Sequence, residues 1–453
     1  MGKRRRAVTL SSAVLSAAMV LGATGGMVNA AGHARRVRAP VTLNIFVGKN
    51  TAQPQVQSAL MTRLVAQFEK QNPGIKINWT TYDSAAQENT TLQTSLVTHQ
   101  GPDIFEFGST LVPTAYATRG FRVLTARDWA FLGGKQQFFS AQLKLAGPNP
   151  AHMIGVPEYM LPFALVYNKA MFAKAGIKSP PRTWNQFVAD AKRLTKPKAG
   201  QWGVAMDPSD SFDPWHIGWV LTRQLGGDFV NSGMTKATLD AAASVKALTF
   251  WFDWMTKFHI ASTQDVTYKS TDMLHAFENG HAAMLVMQGP TLIPSLDQSP
   301  VRGQYAFAPM PTTPYGMSRL PAGGVPVQTF VSGQYYCIPN YVANTTDALK
   351  WIRFVTGVSA QRQFFQAYGY LPANVHAYAG YAPLDKPMIK AFVQAENHAY
   401  ATPFTGAWGN LEVAYGGVSS QIANEIATNT YKAGDIRAKL AAANQQVQSS
   451  LQP

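Results

Sequence analysis

The sequence predicts an α/β protein built from two lobes, and three observations support this class. The chain has 453 residues, more than a single hydrophobic core usually organises. Hydrophobic residues make up 46% of it, a proportion typical of a globular protein. Segments with the two-residue period of strands alternate with segments of helical period, which indicates sheets covered by helices.

The first segment, residues 1–30, has the features of a secretory signal peptide. Four basic residues at positions 3–6 precede a short apolar stretch, and Val28-Asn29-Ala30 offers small residues at a cleavage site. A membrane anchor is the alternative, but the apolar stretch is short and contains several hydroxyl residues. We therefore expect a secreted protein that begins with a basic tether over residues 31–40.

The first half of the remaining chain predicts a parallel sheet. Apolar residues from Val56 to Phe68 share one helical face, and Asn72-Pro73-Gly74 ends that helix. A second helix ends near Gly101-Pro102. The three strands that these helices connect are predicted at 41–47, 75–79 and 104–107.

A second unit is predicted to begin near Met153. The spacing of Thr183 and Gln186 is typical of a helix N-terminus, and Gly280 ends a later helix. Residues 310–326 are rich in Pro and Gly and predict a loop. Strands are predicted at 163–167 and 283–287, and helices at 239–257, 271–279, 347–357, 360–367, 418–428 and 435–451.

The charge of the chain is basic, with a formal net value of +15 from 39 basic and 24 acidic residues. Residues 1–30 contain four basic residues and no acid, so their removal leaves +11. No later stretch forms a dense block of Lys and Arg, so nucleic acid is not an expected partner. The excess reflects a scarcity of Asp and Glu, although an anionic ligand stays open as an alternative.

The motifs of the common enzyme classes do not occur. The chain contains no G-x-x-x-x-G-K-[ST], G-x-G-x-x-G or G-x-S-x-G, and His275 and His281 have the wrong spacing for a zinc helix. The single cysteine, Cys337, lies in an apolar run and predicts a buried thiol; it provides neither a disulfide nor a lipid anchor. We expect no metal and no cofactor. A secreted glycosidase is the remaining enzymatic alternative, with Glu106 as its candidate acid.

Six passages, in order, resemble the family 1 extracellular solute-binding proteins, the group that includes maltose-binding protein. Residues 64–77 are similar to the family passage FEK.NPGIKV, and residues 156–176 to the segment YNK.LF.KAG. The other four passages are 101–104, 180–187, 277–290 and 369–372. The six passages occur in the family's order over roughly residues 41–450.

The resemblance implies a two-lobed type II periplasmic-binding fold with a hinge and an interlobe cleft. One lobe is expected to hold residues 40–155 and 304–355, and the other residues 156–303 and 356–453. The implied function is capture of a carbohydrate, expected to be a short neutral oligosaccharide, by lobe closure and its delivery to the permease subunits of an ABC importer. The resemblance also implies a monomer, periplasmic or at the cell surface, without enzymatic activity.

Positions in the family motifs also imply ligand-binding residues. A sugar site combines flat aromatic rings with planar hydrogen-bonding groups. For each aromatic residue, ordinary packing is the alternative. Thr291 stands where many family members have a stacking tryptophan, which disfavours a long maltodextrin. Lys49 and Arg223 are the candidates for an anionic ligand. The implied ligand-binding residues are Tyr82, Asp83, Glu106, Phe107, Ser109, Phe212, Asp213, Trp215, Gly289, Gly333, Gln334 and Trp408.

Overall fold

The structure is a computed structural model that describes residues 40–50, 53–83, 85–211 and 213–451. The expected signal peptide and nearly all of the expected tether lie outside the described residues. Pro40 to the C-terminus belongs to one compact unit. Within the part of the chain that is described, no helix has the length and apolar character needed to cross a membrane.

Strands form two sheets in the described residues. Their order along the chain agrees with the predicted alternation of strands and helices. The strands are β1 (Val41–Gly48), β2 (Ile75–Tyr82), β3 (Ile104–Gly108), β4 (Gly155–Met160), β5 (Ala164–Asn168), β6 (Met284–Gln288), β7 (Tyr305–Ala308), β8 (Gly333–Cys337) and β9 (Leu371–Pro372).

The larger sheet has the order β2-β1-β3-β8-β4-β9. Strand β1 runs parallel to β2 and β3, and its register with β2 extends from Val41↔Ile75 to Gly48↔Tyr82. Strand β8 is antiparallel to both β3 and β4. The carboxyl ends of β1, β2, β3 and β4 therefore share one edge of the sheet with the start of β8.

The smaller sheet has the order β6-β5-β7, and β5 is antiparallel to both neighbours. The sheets are joined by continuous chain, because β4 in the larger sheet leads directly into β5 in the smaller one. Strands β4 and β9 lie in the larger sheet and β7 in the smaller one. The predicted ranges would instead group most of β4 and all of β9 with the smaller sheet, and β7 with the larger one. The lobe boundaries stay a prediction.

Helices cover both sheets. The Thr183 hydroxyl accepts a hydrogen bond from the Gln186 N–H, as the spacing predicts, whereas the Gln186 side chain accepts from the Arg182 N–H. The helices are α1 (Pro54–Gln71), α2 (Ala85–Thr98), α3 (Val112–Ala117), α4 (Ala126–Leu132), α5 (Ser140–Leu143), α6 (Lys169–Lys174), α7 (Trp184–Leu194), α8 (Pro214–Gln224), α9 (Ala242–Thr256), α10 (Ser270–Glu278), α11 (Ile293–Leu296), α12 (Thr345–Val355), α13 (Val358–Tyr368), α14 (Pro387–Asn397), α15 (Trp408–Ala427) and α16 (Ile436–Gln448).

Two large hydrophobic cores correspond to the two lobes of the predicted fold class. One core packs α1, α12 and α13 against the larger sheet, and it includes the buried thiol of Cys337. The other packs helices α7, α8, α9, α15 and α16 beside the smaller sheet, and it contains Trp184, Trp251 and Trp254. A third, smaller core places α10 and α14 against the smaller sheet.

Candidate functional site

The candidate site is the edge of the larger sheet at which its parallel strands end. In α/β sheets this edge is where ligands usually bind, because the loops diverge there and leave a crevice. Strand pairing brings Gly108 opposite Gln334, and Tyr159 opposite Gln334 on the other side. Tyr82 ends β2, which is separated from β3 by β1. Residues far apart in sequence therefore converge at one edge.

Tyr82 and Glu106 meet at the end of β1. The Tyr82 hydroxyl donates to the Glu106 carbonyl oxygen at 3.2 Å, and the Gly48 N–H donates to the Glu106 carboxylate. A Cβ atom at Gly48 would lie 3.4 Å from the Tyr82 hydroxyl and 3.6 Å from Glu106 Oε1. These are ordinary contact distances, so Tyr82 and Glu106 lie directly beside the end of β1.

Glu158 lies on strand β4, beside Tyr336 of the adjacent strand β8. The Tyr336 hydroxyl donates to Glu158 Oε1 at 2.7 Å. Glu158 Oε2 is buried without a hydrogen-bond partner among the described residues. The side chains of Glu106 and Glu158 are close enough to affect one another's ionisation. Two buried carboxyl groups therefore share this part of the sheet edge.

Several tyrosine residues lie within electrostatic range of the carboxyl pair, namely Tyr159, Tyr368 and Tyr370. Tyr159 and Tyr370 stack with ring centroids 4.1 Å apart and planes at 21°, and Tyr368 lies 4.8 Å from Tyr370. Tyr370 follows Gly369, whose φ of 74° ends α13 and turns the chain towards β9. Tyr159, Glu158 and Tyr370 were not predicted as site residues. The motif passages at 156–176 and 369–372 contained them, and that was the signal that could have found them.

Burial favours the neutral form of these carboxyl groups. It raises the pKa of Glu158 to about 8, although the hydrogen bond from Tyr336 opposes the shift. Burial, and then the nearby Glu158, raise the pKa of Glu106 well above its ordinary value. Burial likewise raises the pKa of Glu88 to about 8; the Tyr82 hydroxyl opposes this shift, and Glu412 adds to it. The unliganded edge therefore holds protons near neutral pH.

A second group of acids lies on the loop before α8, at residues 207–213. Asp213 Oδ1 lies 3.5 Å from His216 Nδ1. The Asp210 carboxylate accepts from the Asp213 N–H and from the N–H and hydroxyl of Ser270. Burial lowers the pKa of His216 to about 3, so this imidazole is neutral, and burial raises the pKa of Asp213 to about 7.

Some predicted site residues do lie together at the sheet edge. Tyr82, Glu106, Gly333 and Gln334 converge there, and a Cβ at Gly333 would collide with the carbonyl of Tyr159.

Other predicted site residues lie elsewhere or are engaged. Asp83 is exposed and pairs with Lys49 at 3.7 Å. The Ser109 hydroxyl donates to the Val331 carbonyl. Asp213 belongs to the acidic loop, Gly289 is buried at the end of β6, and Phe212 lies outside the described residues.

Three predicted aromatic platforms are buried in cores. Phe107 stacks on Phe105 at 5.4 Å, on the face of β3 opposite Glu106, because successive side chains of a strand alternate. Trp215 packs 4.8 Å from Phe330 and 5.7 Å from Trp408. Phe107 and Trp408 have no exposed surface, and Trp215 has almost none. Their burial supports the packing alternative over a stacking role.

Possible metal ligands do not cluster in this part of the chain. Among the residues that the structure describes, no group of three or more His, Cys, Asp or Glu side chains has the arrangement to hold a metal ion.

The fold and the strand-edge site define a two-lobed α/β binding protein. The chain belongs to the bacterial extracellular solute-binding protein family, whose model matches residues 52–362. The ABC transporter periplasmic-binding protein YcjN of Escherichia coli is 25% identical over 240 residues, which are 51% of this chain and 52% of that protein. The maltotriose-binding protein of Pyrococcus abyssi is 23% identical over 365 residues, 80% of this chain and 73% of that protein. The chain spans about half the length of the first curated relatives it matches.

Solved structures confirm the predicted fold class. A solute-binding protein of Thermotoga lettingae, bound to α-D-tagatose, has a TM-score of 0.73 and 19% identity, covering 91% of this chain and 100% of that one. The GacH receptor of Streptomyces glaucescens has a TM-score of 0.71 and 17% identity, covering 90% of this chain and 99% of that one. At these identities the likeness shows the fold alone.

Proposed function

We propose that this protein is the extracytoplasmic binding component of an ABC importer and captures a carbohydrate in the cleft at the edge of the larger sheet. The observation that carries the proposal is the convergence of tyrosine rings and planar hydrogen-bonding groups at that edge. Family membership supports the transport role, and the maltotriose-binding relative supports the ligand class.

The chemistry of the edge suits a sugar. A saccharide presents C–H groups to aromatic rings and hydroxyl groups to side-chain acceptors and donors. The Tyr159–Tyr370 stack supplies rings. The Gln334 side-chain oxygen is buried without a partner among the described residues, so it is available to accept from a hydroxyl.

Ligand contacts from both lobes would stabilise a closed form, because the ligand gains those contacts only on closure. The acidic loop at residues 207–213 precedes α8 in the core beside the smaller sheet, whereas Glu106 lies on the larger sheet. Glu412 of α15 also raises the pKa of Glu88 on α2 through its charge, so the two carboxyl groups lie within electrostatic range of each other. The closed form is what we propose the permease subunits recognise.

An anionic ligand has less support. Lys49 is paired with Asp83, and the guanidinium of Arg223 donates to the Gly227 carbonyl and lies 3.2 Å from Asp228. Both candidate cations thus already have acidic or carbonyl partners. The groups at the sheet edge are carboxyl groups, which would repel an anion whenever they ionise.

Calorimetric titration with a panel of mono- and oligosaccharides, combined with product analysis, tests the proposal. We expect saturable binding of at least one saccharide without release of reducing sugar, in a monomeric protein. Hydrolysis that disappears in Glu106→Gln would instead establish a glycosidase. Binding that requires a phosphate or carboxylate group on the ligand and weakens steeply with salt would establish an anion-binding protein.

A further inference from the structure

The sheet edge is rich in acidic residues, although the chain as a whole is basic. The whole chain carries a formal charge of +15 and only 24 acidic residues. Even so, Glu88, Glu106 and Glu158 gather at this edge, and each is more than nine-tenths buried, with 7%, 6% and 2% of its surface exposed. No described Lys or Arg forms an ion pair with any of the three. Three of the few acidic residues of this basic chain therefore lie at the proposed binding edge.

Two of these carboxyl groups have an oxygen without a partner. Glu158 Oε2 and Glu88 Oε1 accept no hydrogen bond from the described residues. Burying an acceptor without a donor is unfavourable, and it is more so when the group is ionised. The remaining oxygen of Glu158 already accepts from Tyr336. The site therefore has acceptor capacity that the chain itself does not use.

The aromatic residues around these carboxyl groups also favour a positively charged ligand. The charges of Glu106 and Glu158 both act on Tyr82, Tyr159 and Tyr370. The face of an aromatic ring is negative and attracts cations, particularly where water is excluded. Rings and carboxyl groups together therefore favour a positively charged donor at this edge.

Resting on the proposed function, we propose that the saccharide carries a protonated amino group, bound by Glu106 and Glu158 as carboxylates among the tyrosine rings. An ammonium group has three donors and no acceptor, so it can satisfy several carboxylate oxygens at once. A neutral hydroxyl group has one donor and satisfies only one. The ligand class is thus an amino sugar or an oligosaccharide that contains one.

This assignment predicts proton release on binding. Without a cation, burial keeps the pKa of Glu158 at about 8 and that of Glu106 well above its ordinary value. An ammonium group beside them favours the carboxylate forms and displaces their protons. The other titratable groups that act on this pair or its tyrosines are Glu88, Tyr82, Tyr336 and Tyr368. The charge of Arg63 acts on Tyr368.

The experiment compares saccharides that differ at one position. Glucosamine, glucose and N-acetylglucosamine, and the corresponding β-1,4-linked disaccharides, are titrated calorimetrically at about pH 6, where an amine is protonated. We expect the amino form to bind at least about tenfold more tightly than the hydroxyl and acetylated forms. Repeating the titration in buffers of different ionisation enthalpy should show net proton release for the amino form.

Variants test the assigned residues. Glu158→Gln retains the oxygen that accepts from Tyr336 but removes the charge, and we expect it to abolish the preference for the amino form. Glu396→Gln is the matched control, because Glu396 is also buried but accepts its hydrogen bond from Gln142 and is not among the groups that act on Glu106 or Glu158. We expect it to keep the preference.

Each outcome decides between the two proposals. Equal binding of amino and hydroxyl forms, or proton uptake with the amino form, overturns the inference and leaves carbohydrate binding intact. Binding of no saccharide of any charge overturns both. If Glu158→Gln does not fold, the proton release measured with the unaltered protein still tests the inference.

Discussion

Trp408 provides the sharpest test of how the aromatic residues are used. Its side chain is completely buried, with Phe229 stacked at 6.0 Å and Trp215 at 5.7 Å. Removing a buried tryptophan side chain costs about 3–5 kcal/mol through lost packing and the cavity left behind. We therefore expect Trp408→Ala to lower the free energy of unfolding by about this amount.

The assay is thermal unfolding of the unliganded protein. An unfolding entropy of about 2 cal/mol/K per residue over roughly 400 folded residues converts the loss into a Tm lowered by about 4–6 °C. Val413→Ala is the matched control: it lies on the same helix, α15, but is 69% exposed. We expect its effect to stay within about 0.5 kcal/mol.

The reasoning is refuted if Trp408→Ala leaves Tm unchanged and weakens saccharide binding. That result would mean that the ring stacks on the ligand, as the sequence analysis proposed. It would also mean that the ring is buried only while the two lobes are closed. A lowered Tm with unchanged affinity in the surviving folded protein confirms the core assignment.

Three further predictions concern stability and reactivity. Gly333→Ala should lower Tm, since a Cβ there meets the Tyr159 carbonyl across the β4–β8 pair; an unchanged melting curve would contradict this. The folded-state pKa of Glu158 lies at about 8, above the ordinary value of about 4.3, so its contribution to stability is present below that ordinary value and is lost as pH rises to about 8. Tm of the unliganded protein should fall over that interval, and Glu158→Gln should flatten the dependence. Cys337 is fully buried, so a thiol reagent should modify it only after unfolding; rapid labelling of the native protein would disprove this.

The elements with clear periodicity were predictable from sequence. The helix with apolar residues from Val56 to Phe68 is α1, and the strands predicted at 41–47 and 75–79 are β1 and β2. Helix α8 was not predicted. Its segment is buried on nearly all sides, so it lacks the one-sided apolar pattern that marks a surface helix. Helix α15 begins at Trp408, ten residues before its predicted start, because glycines at 409, 416 and 417 weaken the local helical signal.

The site was only partly predictable. Motif positions led to Glu106, Gly333 and Gln334, and the position after the second predicted strand led to Tyr82. Phe107 differs from Glu106 by one position, and the sequence could not tell which of the two faces the cleft. Strand register decided this, since neighbouring side chains alternate between the two faces of a sheet.

The sequence by itself determined the α/β class, the family and the absence of the common enzyme motifs, since these depend on local periodicity and short ordered passages. Only the tertiary structure decided which aromatic rings are core and which carboxyl groups share a site. Glu106 and Glu158 are 52 residues apart in sequence, and they meet because β8 pairs with both of their strands. Burial and proximity belong to long-range packing, and they change the chemistry of residues whose sequence context is unremarkable.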